Sequence, residues 1–153
     1  MAERVDFYIL SSVERAERWS FACRLAAKAY QSQLSVVLLS ESDADARIGD
    51  EMLWTFNDRA FVPHQIARDA SSIDPETPVH LVYGLEHVSR ADVLVNLSDR
   101  LPAGLDRFVR LAEIIDADPG RRQLGRERFK AYREQKLALQ THNLSAGADL
   151  AQL

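Results

Sequence analysis

The segment Gly120–Lys136, GRRQLGRERFKAYREQK, carries seven basic residues and two acids, within a chain whose formal charge at neutral pH is −4. Cations gathered this way on an acidic protein hold an anion at one place and do not coat one wholesale. Steps of three, four and seven bring Arg122, Arg126, Phe129, Lys130 and Arg133 to one side of a helix, with Tyr132 and Arg128 on the neighbouring face. Guanidinium groups grip a carboxylate through two parallel hydrogen bonds, and an aromatic ring among them can hold an apolar side chain. Two ligands suit the set: an acidic peptide ending in an apolar residue, and single-stranded nucleic acid, which needs cations for phosphate and rings for stacking. A solvated amphipathic helix with Phe129 turned into the core fits the same pattern.

A second group lies in MLWTFNDRAFVPHQIA, residues 52–67. Trp54, Phe56, Phe61, Val62 and Ile66 crowd a stretch broken by Asn57, Asp58 and Pro63. Large apolar side chains in a connecting segment either fold back on the core or meet another protein, and Trp and Phe are the anchors that interfaces favour.

Other chemistries have less to stand on. Nowhere is there a GxGxxG, a GxxxxGK[ST] or a GxSxG, and the turn after the first apolar run, ILSSVERAER, has no glycine to let a backbone approach a pyrophosphate. His64, His80, His87 and His142 are scattered without metal-ligand spacing. The abundant carboxylates of SESDADARIGDE read as a solvated helix face. No cofactor and no metal is expected, and no catalytic residue is assigned.

The elements that must position these groups follow from periodicity. VDFYIL and LSVVLLS are strand-like runs, the second apolar on both faces as a central parallel strand would be. Between them Val13, Ala16, Trp19, Cys23, Ala26, Ala27 and Tyr30 form one face of a helix opened by a Ser11/Glu14 capping box, with Cys23 a core residue. Ser42 caps a second helix bearing Ala44, Ile48 and Met52. After an irregular middle come strands VHLVYG and ADVLVNLS. A helix follows with Leu105, Phe108, Val109, Ala112 and Ile115 on one face, and then the basic helix, capped by Asp118 with Pro119 at its first position. Alternating strands and helices make a three-layer α/β fold with a largely parallel, Rossmann-like sheet lacking a nucleotide-binding glycine loop. With 153 residues, 46% apolar and 27% charged, the chain suits one domain over residues 1–137, and residues 138–153 read as a flexible C-terminal tail. A single cysteine, no membrane-length apolar run and no secretory pattern point to the cytoplasm.

DEMLWTFNDRAFVPHQIA followed by RERFKAYR resembles the chi subunit family of the bacterial DNA polymerase III holoenzyme, and the likeness extends through DFYIL, LVNLS and the basic helix. The resemblance implies a non-catalytic accessory subunit of the clamp-loader assembly. Its partners would be the psi subunit and the acidic C-terminal tail of single-stranded DNA-binding protein, with DNA engaged only indirectly, no membrane, and a repair helicase as a further candidate. It implies that Arg126, Phe129 and Lys130, supported by Arg122, Tyr132 and Arg133, take the tail, with Ile114 or Ile115 as apolar wall. Trp54, Phe61, Val62, Pro63 and His64 would face psi. Phe129 stands where relatives can carry tyrosine, which keeps the ring and loses a hydroxyl. Two other functions compete with this: a small α/β nucleotide-binding enzyme with an atypical site, and direct binding of single-stranded DNA by the last helix.

Overall fold

The computed structural model describes residues 2–144. Strand β1 (Arg4–Ile9) leads into helix α1 (Arg15–Gln31), β2 (Val36–Leu39), α2 (Asp43–Thr55) and the short strand β3 (His64–Ile66). Then follow β4 (Val79–Val82), β5 (Ala91–Asn96), β6 (Phe108–Ile115), α3 (Pro119–Glu134) and β7 (Ala138–Asn143). The strands form one sheet in the order β3-β4-β2-β5-β6-β1-β7, and every pairing is parallel. This is the three-layer α/β architecture that the alternation predicts.

Both faces of the sheet are covered, which is why its central strands are continuous apolar runs. On one face α1 and α2 bury Trp19, Ala22, Cys23, Ala26 and Leu53 against Leu38, Leu81, Val95 and Ile114. Gly49 lets α2 pass close to the Trp19 ring, since a Cβ there would strike it. Burial pushes the Cys23 thiol up to about 12, as suits a core residue and not a nucleophile. On the other face α3 and the irregular segments cover Phe7, Val37, Leu39, Leu94, Phe108, Leu111 and Ile115.

Four local expectations are corrected. Residues 105–115 are a helical turn followed by strand β6, not a helix. Its partners are β1 and β5, so it is buried on both faces and shows no alternation to betray it. Residues 138–143 are not tail but strand β7, paired along the whole of β1 from Arg4↔Ala138 to Ile9↔Asn143. The rest of the expected tail, 145–153, lies outside the described residues. Helix α1 starts one residue beyond Glu14 with no side-chain cap, and the nearby hydroxyl that bonds a backbone amide is that of Ser12, on Glu14 N. The irregular middle also contains a strand, β3, at the far edge of the sheet.

Candidate functional site

Helix α3 begins as its sequence requires: the Asp118 carboxylate accepts from Arg121 N at 2.9 Å and Pro119 occupies the first turn. What orients the helix about its axis is a buried polar cluster. Tyr132 Oη donates to Glu113 Oε2 at 2.5 Å, Asn96 Nδ2 to the same oxygen at 3.0 Å, and Arg128 Nε to Glu113 Oε1 at 3.1 Å. Arg128 Nη1 also reaches Asp99 O at 3.0 Å. Glu113 is fully buried at the end of β6, and burial raises its carboxyl above the ordinary range while Arg128 and the Tyr132 and Asn96 bonds pull the other way. Tyr132, with 0% exposure, therefore cannot touch a ligand; its expected place among the tail-binding residues is corrected to that of a core anchor. Arg128 is likewise buried and ion-paired, not part of a basic surface.

With Gly125, Arg128 and Tyr132 turned inward, the flank of α3 carrying Arg122, Arg126 and Phe129 faces β1 and β7 across an open cleft of about 290 Å³. Its apolar wall is Phe7 and Ile9 of β1, Ile115 of β6 and the Phe129 ring, with Thr141 of β7 at the far side and Gly125 on the helix. Of the two isoleucines expected as wall, Ile115 lines the cleft, whereas Ile114 is buried on the opposite face under α1. Phe129 meets Phe7 edge-on with ring centroids 5.2 Å apart, and the Arg133 guanidinium stands 6.0 Å from the Phe129 centroid. Arg122 is held by two backbone carbonyls, Asp116 O at 3.2 Å and Leu10 O at 3.1 Å, so its charge is fixed at the rim. Arg126 is exposed and touches Gln123 Oε1 at 2.8 Å. Lys130 is exposed and does not line the cleft. An apolar slot rimmed by guanidinium groups offers positive charge and apolar surface side by side.

At the other end of the sheet, Trp54 closes α2 and Phe61 follows in the loop. They are 54% and 64% exposed with ring centroids 5.7 Å apart. Pro63 is half-buried beside them. Two expected surface residues lie beneath this pair instead. Val62 is 2% exposed in the α1/α2 core. The His64 side chain is wholly buried, its ring 4.5 Å from Trp54, with Nδ1 2.6 Å from Val62 O and Nε2 3.1 Å from Asp50 O. Chain direction explains the division: the segment enters the sheet edge as β3, so alternate residues must turn in.

A third depression, about 160 Å³, lies beyond the carboxyl ends of β2, β5 and β6, where open α/β sheets commonly hold ligands. Here that crevice is occupied by ion pairs. Arg121 forks onto Asp116 with bonds of 2.8 to 3.0 Å, Arg18 Nε donates to Ile114 O at 3.2 Å, and Glu41, Asp45 and Asp99 add negative charge. Burial alone would raise the Asp116 carboxyl, but the Arg121 bonds, the Asp118 amide and the charges of Arg121 and Arg18 together hold the group below its ordinary 3.8. With Arg15 also paired to Asp45, the cations of this crevice are committed to its own carboxylates and are not arrayed for a polyphosphate.

Sequence reasoning missed Phe7, Ile9, Gly125 and Thr141 as cleft residues. Phe7 and Ile9 had a signal, since residues two apart on a strand share a face; Thr141 had none once its segment was read as tail.

The family described as DNA polymerase III chi subunit, HolC, matches residues 1–140. The DNA polymerase III subunit chi of Pseudomonas aeruginosa is 38% identical over 141 residues, 92% of this chain and 96% of the relative. That of Haemophilus influenzae is 32% identical over 145 residues, covering 94% and 99%, and that of Escherichia coli is 30% identical over 125 residues, covering 81% and 80%.

Proposed function

Because the chain belongs to the DNA polymerase III chi subunit family, we propose that this replication accessory subunit is a non-catalytic adaptor with two docking surfaces. The α3 cleft takes the acidic C-terminal tail of single-stranded DNA-binding protein, and the Trp54–Phe61 pair seats the psi subunit. The observation that carries the reading is the cleft itself. Arg122 and Arg126 stand at its rim and Phe7, Ile9, Ile115 and Phe129 form its wall, which matches an acidic peptide whose last residue is apolar. The acidic remainder of the chain disfavours competition for DNA itself.

The competing functions are weaker on physical grounds. Stacking of successive bases needs open aromatic faces, and Phe129 is packed edge-on to Phe7 and topped by Arg133, while Tyr132 is buried. A nucleotide would have to enter the crevice beyond the strand ends and break its ion pairs. Among the described residues, no helix is long and apolar enough to cross a membrane.

The reading is tested by capture. Immobilised chain should retain intact single-stranded DNA-binding protein and release the form lacking its C-terminal tail. Equal retention of both forms would refute it.

A further inference from the structure

Resting on the tail-binding reading, we infer that Gly125 is a specificity-determining residue of the α3 cleft, setting with Ile115 how large a terminal side chain the cleft admits. Glycine in the interior of a helix costs about 0.5–1 kcal/mol relative to alanine, so its presence at the middle of α3 calls for a local reason. Neither a turn nor a positive φ supplies one, for the residue sits in regular helix. The reason is spatial. Gly125 is buried against β6, and a Cβ at this position would stand 3.0 Å from Ile115 Cδ1 and 3.3 Å from its Cγ1. Those contacts are closer than ordinary packing and require the isoleucine to yield.

Where Ile115 can go decides the outcome. Ile115 belongs to the buried cluster that includes Leu111, Leu94 and Tyr132, and close-packed interiors yield little to an added methyl group. Its one open side is the cleft that it and Gly125 both line. Adding a methyl group at position 125 therefore moves Ile115 into the cleft and takes room from whatever side chain docks there. The missing Cβ and the isoleucine act as a pair: together they set the depth of the slot, while Arg126 grips the carboxylate at its mouth and Arg122, tied to Asp116 O and Leu10 O, adds fixed positive charge at the rim. Charge recognition and size recognition are thus separate, and a change at 125 should alter the second alone.

The experiment uses the full chain and two synthetic peptides, each of four aspartates followed by one terminal residue with a free carboxylate, phenylalanine in one and alanine in the other. Wild type should bind the phenylalanine peptide more tightly. Gly125→Ala should weaken that peptide about tenfold or more, the usual cost of one misplaced methyl group in a fitted pocket, and leave the alanine peptide within twofold. Its thermal midpoint should stay near that of wild type, the helix preference for alanine being offset by the displacement of Ile115. Gly125→Ala combined with Ile115→Val should recover most of the lost preference for phenylalanine. The inference is overturned if Gly125→Ala weakens both peptides alike, weakens neither, or is not relieved by Ile115→Val. Wild type that binds neither peptide would instead refute the tail-binding reading on which the inference rests.

Discussion

At the scale of single residues, α3 divides its arginines between two tasks. Arg128 is buried and paired with Glu113, while Arg126 is exposed at the cleft rim. Glu113→Gln keeps the shape of the side chain but sets an amide NH2 against the donors of Arg128, Tyr132 or Asn96, so it should destabilise the fold by about 3–5 kcal/mol in denaturant unfolding. Arg126→Ala is the internal contrast, expected to lie within about 0.5 kcal/mol of wild type. Trp54 presents the opposite case to Glu113. It is more than half exposed, and its inner contact is the His64 ring. Trp54→Ala should weaken psi binding by about 2 kcal/mol or more, measured by calorimetry, with little change in melting temperature. A mutant that melts early without a specific binding loss would make Trp54 a core residue. Sequence types alone could not sort these arginines and aromatics, because helical spacing gives the faces of α3 but not which of them turns inward. The buried carboxylate that decides it, Glu113, lies in a segment whose spacing reads as helix.

At the scale of elements, legibility followed the strength of each periodic signal. Strands β1, β2, β4 and β5, the caps of α2 and α3, and the buried Trp19, Cys23, Ala26 and Ala27 of α1 were readable from runs and spacing, whereas Val13, ahead of the helix, and Ala16 in its first turn are exposed. Strand β6 was not, because Phe108, Ala112 and Ile115 fall at helical intervals while a strand buried on both faces carries no period of two. Strand β7 was not, because ALQTHN owes its conformation to tertiary pairing with β1 and to His142, whose Nε2 lies 2.9 Å from Asp6 Oδ1. The turn that delivers β7 also holds a local cost. Lys136, immediately after α3, has φ of 62°, the left-handed conformation that glycine adopts without a Cβ penalty. Lys136→Gly should raise stability by about 0.5 kcal/mol, the strain relieved being partly offset by the greater freedom of glycine when unfolded. A lower denaturant midpoint would show that the lysine side chain itself contributes there.

At the scale of the whole molecule, the two surfaces lie toward opposite edges of one sheet: Trp54 and Phe61 beside β3, the α3 cleft against β1 and β7. Six strand spacings of about 4.8 Å separate those edges by roughly 29 Å. The two surfaces share no element, being separated by the strands of one continuous hydrogen-bonded sheet. Tail-peptide affinity should therefore be the same within twofold with and without saturating psi, and a larger change would reveal coupling that the fold does not suggest. Whether the cleft grips a terminal carboxylate is decided by titrating an acidic peptide with a free or an amidated C-terminus into wild type and Arg126→Ala. The free peptide should bind wild type in the micromolar range, near −8 kcal/mol, and more weakly as salt is raised. Amidation removes the charge and leaves every side chain in place, so wild-type affinity should fall steeply while Arg126→Ala hardly responds. Equal weakening of both proteins by amidation would contradict the account and make α3 a diffuse electrostatic surface.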